Sequence, residues 1–229
     1  MQYSSLTQQL HELILENYPV KYIEKGRYLF QESTPSNELF YVLNGKVQIS
    51  KIVPDGRELT LRLCSGNELI GETILFSELP KHMMNAKMIE SGEVIAINKE
   101  QFEQQIRQNS KLAIDCLSWL SAQHRKTQTM FRDLLLHGKK GALYSTLIRI
   151  MNSYGVETEN GTIITMAFTN QELANFCGTS REVINRMLAD LRKQNVISMD
   201  KGFITIHNVD FLRTEIDCEN CPIDICRID

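Results

Sequence analysis

Two four-residue signatures ten positions apart, Thr169-Asn170-Gln171-Glu172 and Thr179-Ser180-Arg181-Glu182, constrain this chain more than any other feature. Each sets a threonine three residues ahead of a glutamate. In that spacing the two side chains reciprocally bond the free N–H groups at a helix start. The first box opens QELANFCG and the second opens REVINRMLADLRKQ, with Gly178 to turn between them. Two short helices joined through a glycine turn form a helix-turn-helix. Beyond them VISMD and FITIH flank Lys201-Gly202, so a hairpin closes the unit as a wing.

A recognition helix reads bases through its N-terminal residues. Here these are Ser180, Arg181, Glu182, Asn185 and Arg186. Arginine can grip guanine O6 and N7 together, and glutamate can accept from cytosine N4, each contact giving about 1–3 kcal/mol of discrimination. Lys139, Lys140, Arg192, Lys193 and Lys201 can reach phosphates, which position a protein without reading sequence. The net charge of −3 does not advertise nucleic-acid binding, so this reading rests on local charge and motif.

Upstream, residues 20–97 alternate short apolar runs with glycine. Asn44-Gly45 between LFYVL and KVQIS is a hairpin signal, and Pro54-Asp55-Gly56 separates the next pair. Leu59, Leu61 and Leu63 alternate with Thr60, Arg62 and Cys64, predicting one buried and one open strand face. Such strands imply a closed or sandwich-like β structure. From residue 99 the chain turns helical. Ala113, Leu117, Leu120, His124, Thr127, Phe131 and Leu134 step by fours and threes, a heptad seam suited to a homodimer. The other reading of that stripe is a helix packed on its own β domain. His137-Gly138 ends this helix; a second, GALYSTLIRIMNSY, runs to Gly155, and Gly161–Met166 reads as a strand.

The N-terminal stretch MQYSSLTQQLHELILENY suggests a short amphipathic helix, without the features of a signal peptide. No apolar run approaches the ~18 residues of a membrane span. A cytoplasmic protein is expected, with no membrane partner. No nucleophile–base arrangement points to an enzyme.

Cys218, Cys221 and Cys226 lie within nine residues, in the pattern C-x2-C-x4-C; Cys64, Cys116 and Cys177 are scattered and read as small buried apolar residues. In a reducing compartment a dense cysteine cluster is metal-binding or redox-active. Three thiols can hold three irons of a cubane and leave one corner unfilled. Structural zinc and a Cys218–Cys221 thiol–disulfide switch have the same residue types.

The β strands, the long helix, the winged helix and the stretch CGTSREVINR together resemble the Crp/Fnr family of transcription regulators along nearly the whole chain. The resemblance implies an α+β chain. Its parts would be a β-roll with an N-terminal helix (1–98), dimerisation helices (99–138), a winged helix-turn-helix (139–212) and a cysteine tail (213–229). It implies that Arg181, Glu182 and Arg186 read a palindrome close to TGTGA-N6-TCACA, with double-stranded DNA, a second copy and RNA polymerase as partners. Family rolls that bind cyclic AMP carry Gly-Glu and then Arg-Ser or Arg-Thr. Gly71-Glu72 is present here, but Met84-Asn85 stands where the guanidinium is expected. Arginine is the side chain whose fork matches phosphate, so no cyclic nucleotide is expected.

The tail and the stretch MFRDLLLHGKKGALYSTLIR resemble the Bacillus-type Fnr branch. That resemblance implies one [4Fe–4S] cluster per subunit, held by Cys218, Cys221, Cys226 and Asp133, and an oxygen-responsive regulator of anaerobic gene expression. If Phe131 and Leu134 lie on the seam, Asp133 points away from it, where a returning tail could reach. The seam carries no acidic residue, so a dimer is expected to persist without the cluster. The competing expectations are a small-effector regulator with a zinc-binding tail, or a thiol–disulfide protein.

Overall fold

The computed structural model describes residues 8–229. Residues 1–7 of the expected N-terminal helix lie outside the described residues. The chain divides into two compact units, one running to Gly56 with Leu61–Ala122, the other Arg57–Thr60 with Gln123–Asp229.

In the N-terminal part of the chain α1 (Gln8–Asn17) precedes β1 (Val20–Ile23), β2 (Tyr28–Phe30), β3 (Glu38–Val42), β4 (Lys46–Ile52), β5 (Glu58–Cys64) and β6 (Glu68–Ile70). A 3₁₀ turn at Glu72–Ile74 follows, then β7 (Asn85–Glu90), β8 (Gly92–Asn98) and α2 (Lys99–Gln108). The strands form two four-stranded sheets, β1-β8-β3-β6 and β2-β7-β4-β5. The two-residue period of a strand decides which core each side chain joins. Phe40 and Val42 enter a core shared with Val47, Ile49, Met88 and Val94. Leu39, Tyr41, Ile95 and Ile97 face the other way, onto Leu10, Ile14, Phe102 and Ile106 of α1 and α2.

Two expectations for the roll change here. Asn44-Gly45 does not make a hairpin, because β3 and β4 belong to different sheets. The turn instead bonds to the neighbouring corner: Asn44 Oδ1 accepts from the Glu93 N–H at 3.0 Å, and the Leu43 N–H donates to the Glu93 carbonyl at 2.9 Å. Gly45, at φ 83°, approaches Gly92 so closely that an added Cβ would lie 2.9 Å from its Cα. On β5 the buried residues are Thr60, Leu63 and Cys64, while Leu59 and Leu61 are only half-buried. Cys64 joins the inter-sheet core, and Arg62 beside it is neutralised by Glu72 at 3.1 Å. A partly buried guanidinium with a carboxylate partner lets a polar-looking face turn inward.

The longest element, α3 (Ser110–Tyr154), contains one non-helical residue, Gly138, at φ 58° and ψ −150°. Leu112, Cys116 and Trp119 of its first part join the core with α1 and α2. After α3 come β9 (Gly155–Thr158), β10 (Gly161–Ile164), α4 (Asn170–Phe176), α5 (Arg181–Lys193), β11 (Ile197–Asp200), β12 (Phe203–Ile206) and α6 (Val209–Thr214). The strands make an antiparallel sheet in the order β11-β12-β10-β9. Gly155 ends the helix as expected and also begins β9, which pairs with β10 from Gly155–Ile164 to Thr158–Gly161.

Candidate DNA interface and cysteine site

The helix-turn-helix is built as its capping signals require. Thr169 accepts from the Glu172 N–H at 3.1 Å, and the Glu172 carboxylate accepts from the Thr169 N–H at 2.7 Å, completing the first box. Gly178 turns the chain at φ 56°. The second box differs from expectation: the cap is Ser180, not Thr179, and it accepts from the Val183 N–H. The turn carries Thr179 along, and its N–H bonds back to Ala174 at 3.1 Å, so Ser180 is the last extended residue. This frees Glu182 from the box. Its carboxyl is held below its usual range by its own backbone N–H and the Ser180 hydroxyl, so it stays an ionised acceptor.

All five expected base-reading residues, Ser180, Arg181, Glu182, Asn185 and Arg186, are exposed on α5, while Ile184, Leu188 and Leu191 are buried beneath. Helical spacing separates the two faces. Asn170 donates to the Asn185 side chain and so ties α4 to the reading face, a contact the sequence did not suggest. Lys201 and Gly202 form the wing turn at φ 46° and 87°. Together with Thr169, Asn170, Gln171 and Arg181 they line a groove of about 590 Å³. Of the expected phosphate-contacting cations, Lys139, Arg192, Lys193 and Lys201 are exposed. Lys140 is exposed too, paired with Glu215 and 5.5 Å over the Tyr144 ring.

On α3, Leu117 is 66% exposed and Phe131 60%; His124, Thr127 and Leu134 are exposed as well. Ala113 and Leu120 instead lean on the core that holds Leu112, Cys116 and Trp119. The exposed line includes Ile114, which the seam omitted. A straight helix drifts against a seven-residue repeat, so the stripe's phase is ambiguous by one residue in sequence.

Asp133 does turn away from that line, being 4% exposed. Ser145 Oγ donates to its carboxylate at 2.5 Å, Arg132 at 2.7 Å and Arg149 at 3.5 Å. Arg149, 2% exposed, also donates to the carbonyl of Ile225 in the tail at 3.0 Å and to Thr129 Oγ1 at 2.9 Å. Arg132 pairs with Glu219, also in the tail. Burial pushes the Cys226 thiol up; Arg149 draws it down, while Cys218, Cys221 and Asp133 push it up. Cys226 thus lies within electrostatic reach of the other two tail thiols and of one helix carboxylate. Among the described residues no three His, Cys, Asp or Glu side chains converge tightly enough to hold a single metal ion. Cys64, Cys116 and Cys177 are buried, as expected. Sequence reasoning missed Arg149; its signal was one arginine inside the apolar run LIRIM.

The cyclic nucleotide-binding domain family matches residues 20–109, and the Crp-like helix-turn-helix domain family matches residues 142–215. The chain is 49% identical over 225 residues to the anaerobic regulatory protein of Bacillus subtilis, which covers 98% of this chain and 94% of that protein. The chain belongs to the Crp/Fnr family. It is therefore a DNA-binding transcription regulator of the Bacillus-type Fnr branch. Among other Crp/Fnr proteins, the global nitrogen regulator of a Nostoc species is 27% identical over 189 residues, covering 82% of this chain and 85% of its own. The fold matches a CooA variant from Carboxydothermus hydrogenoformans at a TM-score of 0.78, with 14% identity over 93% of this chain and 96% of that one. It also matches the regulator CLP of Xanthomonas campestris at 0.74, with 24% identity over 87% and 98%. No helix among the described residues of this Crp/Fnr chain is long and apolar enough to cross a membrane.

Proposed function

We propose that this regulator senses oxygen through a [4Fe–4S] cluster, one per subunit, held by Cys218, Cys221, Cys226 and Asp133. The observation that carries the reading is the placement of Asp133. A buried carboxylate on α3 shares Arg149 with the tail and acts electrostatically on Cys226. Thiolates are the usual ligands of such clusters, and a carboxylate is a harder donor, fitting it for the labile corner. Bound there, the cluster would supply an oxygen-sensitive link between tail and helix. The residues do the rest. Asp133 lies ahead of Gly138 on α3 and Ser145 and Arg149 lie beyond it, so a tail joined to Asp133 fixes the helix across that break. The name of the 49%-identical relative, an anaerobic regulatory protein, points the same way.

In this reading the protein is a cytoplasmic homodimer that binds a TGTGA-like palindrome without oxygen and works with RNA polymerase. Cyclic nucleotide is not its signal. The Glu72 carboxylate is taken by Arg62 at 3.1 and 3.2 Å, Met84 packs on the inter-sheet core, and Asn85 accepts from the Glu32 N–H.

The test is iron and acid-labile sulfide counting on anaerobically purified protein, with a visible spectrum before and after air. Operator binding is measured on the same samples. Iron, sulfide and tight binding should be present without oxygen and lost together. Cys218→Ser, Cys221→Ser or Cys226→Ser should abolish cluster-dependent binding, and Asp133→Ala should weaken it. Zinc without sulfide would instead indicate a structural metal tail, and iron-free protein binding at full strength would refute the proposal.

A further inference from the structure

The tail is held by more than its cysteines. Asn152 Nδ2 donates to the Cys226 carbonyl at 2.7 Å, and Arg149 Nη1 to the Ile225 carbonyl at 3.0 Å. The Ser153 hydroxyl accepts from the Ile228 N–H at 3.0 Å and donates to the Asp229 carboxylate at 2.9 Å. Arg227 bonds the Asp229 carboxylate at 2.7 and 2.9 Å and the Asn152 carbonyl at 3.2 Å. Ile225 and Ile228 are both buried. These contacts engage main-chain atoms, the Asp229 carboxylate and apolar side chains, and none of them uses a thiol.

Arg149 differs from the other groups in its reach. One guanidinium joins Thr129 and Asp133, before the break at Gly138, to Ser145 beyond it and to Ile225 in the tail. A charge buried this deeply is stable only while its hydrogen-bond partners stay in place. Its planar fork can serve several acceptors at once, which a lysine ammonium in the same place could not.

We propose that Arg149 is a positioning residue that keeps the cysteine tail docked on α3 in the cofactor-free protein, so that the tail is already seated on the helix that carries Asp133 before any cofactor arrives. What the seat is for rests on the cluster reading above; that the tail is seated does not. A donor set arranged in advance loses less freedom on binding than one that must be gathered.

Thiol alkylation of full-length, chelator-treated, fully reduced protein tests this directly. N-ethylmaleimide rates are read cysteine by cysteine by mass spectrometry. Cys177, buried in the same unit against Thr146, reports any loosening of the unit as a whole. In the wild type all three tail thiols are half-buried, and their rates set the baseline against which each variant is read. Arg149→Met should raise the Cys226 rate about tenfold or more, and Asn152→Ala about fivefold, as one charged or one neutral hydrogen bond is lost. Cys177 should not change. Should Arg149→Met fail to fold, the milder Asn152→Ala decides. The proposal is overturned if a folded Arg149→Met or Asn152→Ala leaves the Cys226 rate unchanged, or if Cys177 rises in step with it. Iron counting judges the cluster separately: iron-free anaerobic protein whose Cys226 rate still rises in these variants would keep the docked tail and discard the cluster.

Discussion

His82 is buried at 2% exposure, its ring stacked on Phe30 with centroids 3.7 Å apart, and neither ring nitrogen has a hydrogen-bond partner among the described residues. Burial lowers its pKa to about 4 against a usual 6.5, with Glu72 nearby pulling the other way. The folded state therefore binds fewer protons than the unfolded state between those values. Stability contributed by the neutral ring is complete above pH 6.5 and drains away as pH falls toward 4, at no more than about 1.4 kcal/mol per pH unit. Melting temperature against pH should fall more steeply over that window in the wild type than in His82→Phe, which keeps the stacked ring without the titration. Parallel curves would show that His82 is not the group responsible. The recognition residues make a different demand, because their charges must stay solvated until DNA arrives. Arg181→Ala should cost about 1–3 kcal/mol at the operator and relax discrimination at one base pair, whereas Lys139→Ala should weaken specific and nonspecific binding alike. Equal loss on both DNAs for Arg181→Ala, measured at one fixed salt concentration, would remove it from the reading face.

Among the elements, α3 carries the sharpest local constraint. Gly138 sits at φ 58° and ψ −150°, in a region that essentially only glycine occupies, yet nothing lies within 4 Å of where a Cβ would be. The cost of a side chain there is a backbone cost alone. Gly138→Ala should lower unfolding stability by about 1–3 kcal/mol, read from the urea midpoint. An unchanged midpoint would mean that the helix can run through position 138. This break was legible in the sequence, as were the first capping box, the wing turn and the exposed face of α5, because each depends on neighbours within one or two turns. The second cap was read one residue early, since Thr179 and Ser180 have the same chemistry and only the turn at Gly178 selects between them. The Asn44-Gly45 corner misled because a tight turn permits a reversal without saying which strand the chain then pairs with. At β5 the alternation was visible but its inward face was not, because Arg62 is acceptable inside only once Glu72 arrives from ten residues away. Arg149 was missed for the same reason: its partners Thr129, Asp133 and Ile225 are distant in sequence.

For the whole molecule, the exposed apolar line on α3 and the proposed oxygen response make separable demands. A dimer of winged helices must present its reading heads about one helical turn of DNA apart, ~34 Å, so a dimeric scaffold is needed whenever the operator is bound. Ile114, Leu117, Phe131 and Leu135 are large apolar side chains left in water in the single chain. Covering one such side chain is worth about 1.5–3 kcal/mol, and a symmetric contact counts each residue twice. Among the expected seam residues none is acidic, so no carboxylate would be forced against its own copy when the cofactor is absent. Association should then depend on this face and not on the tail. Metal-free wild type and Cys226→Ser should both scatter light as dimers, while Leu117→Glu combined with Phe131→Glu should give monomers that have lost tight operator binding but remain folded by circular dichroism. If metal-free wild type were instead monomeric and became dimeric only under anaerobic reconstitution, the link across Asp133 would control assembly itself, and the orientation of an existing dimer would not be what oxygen changes.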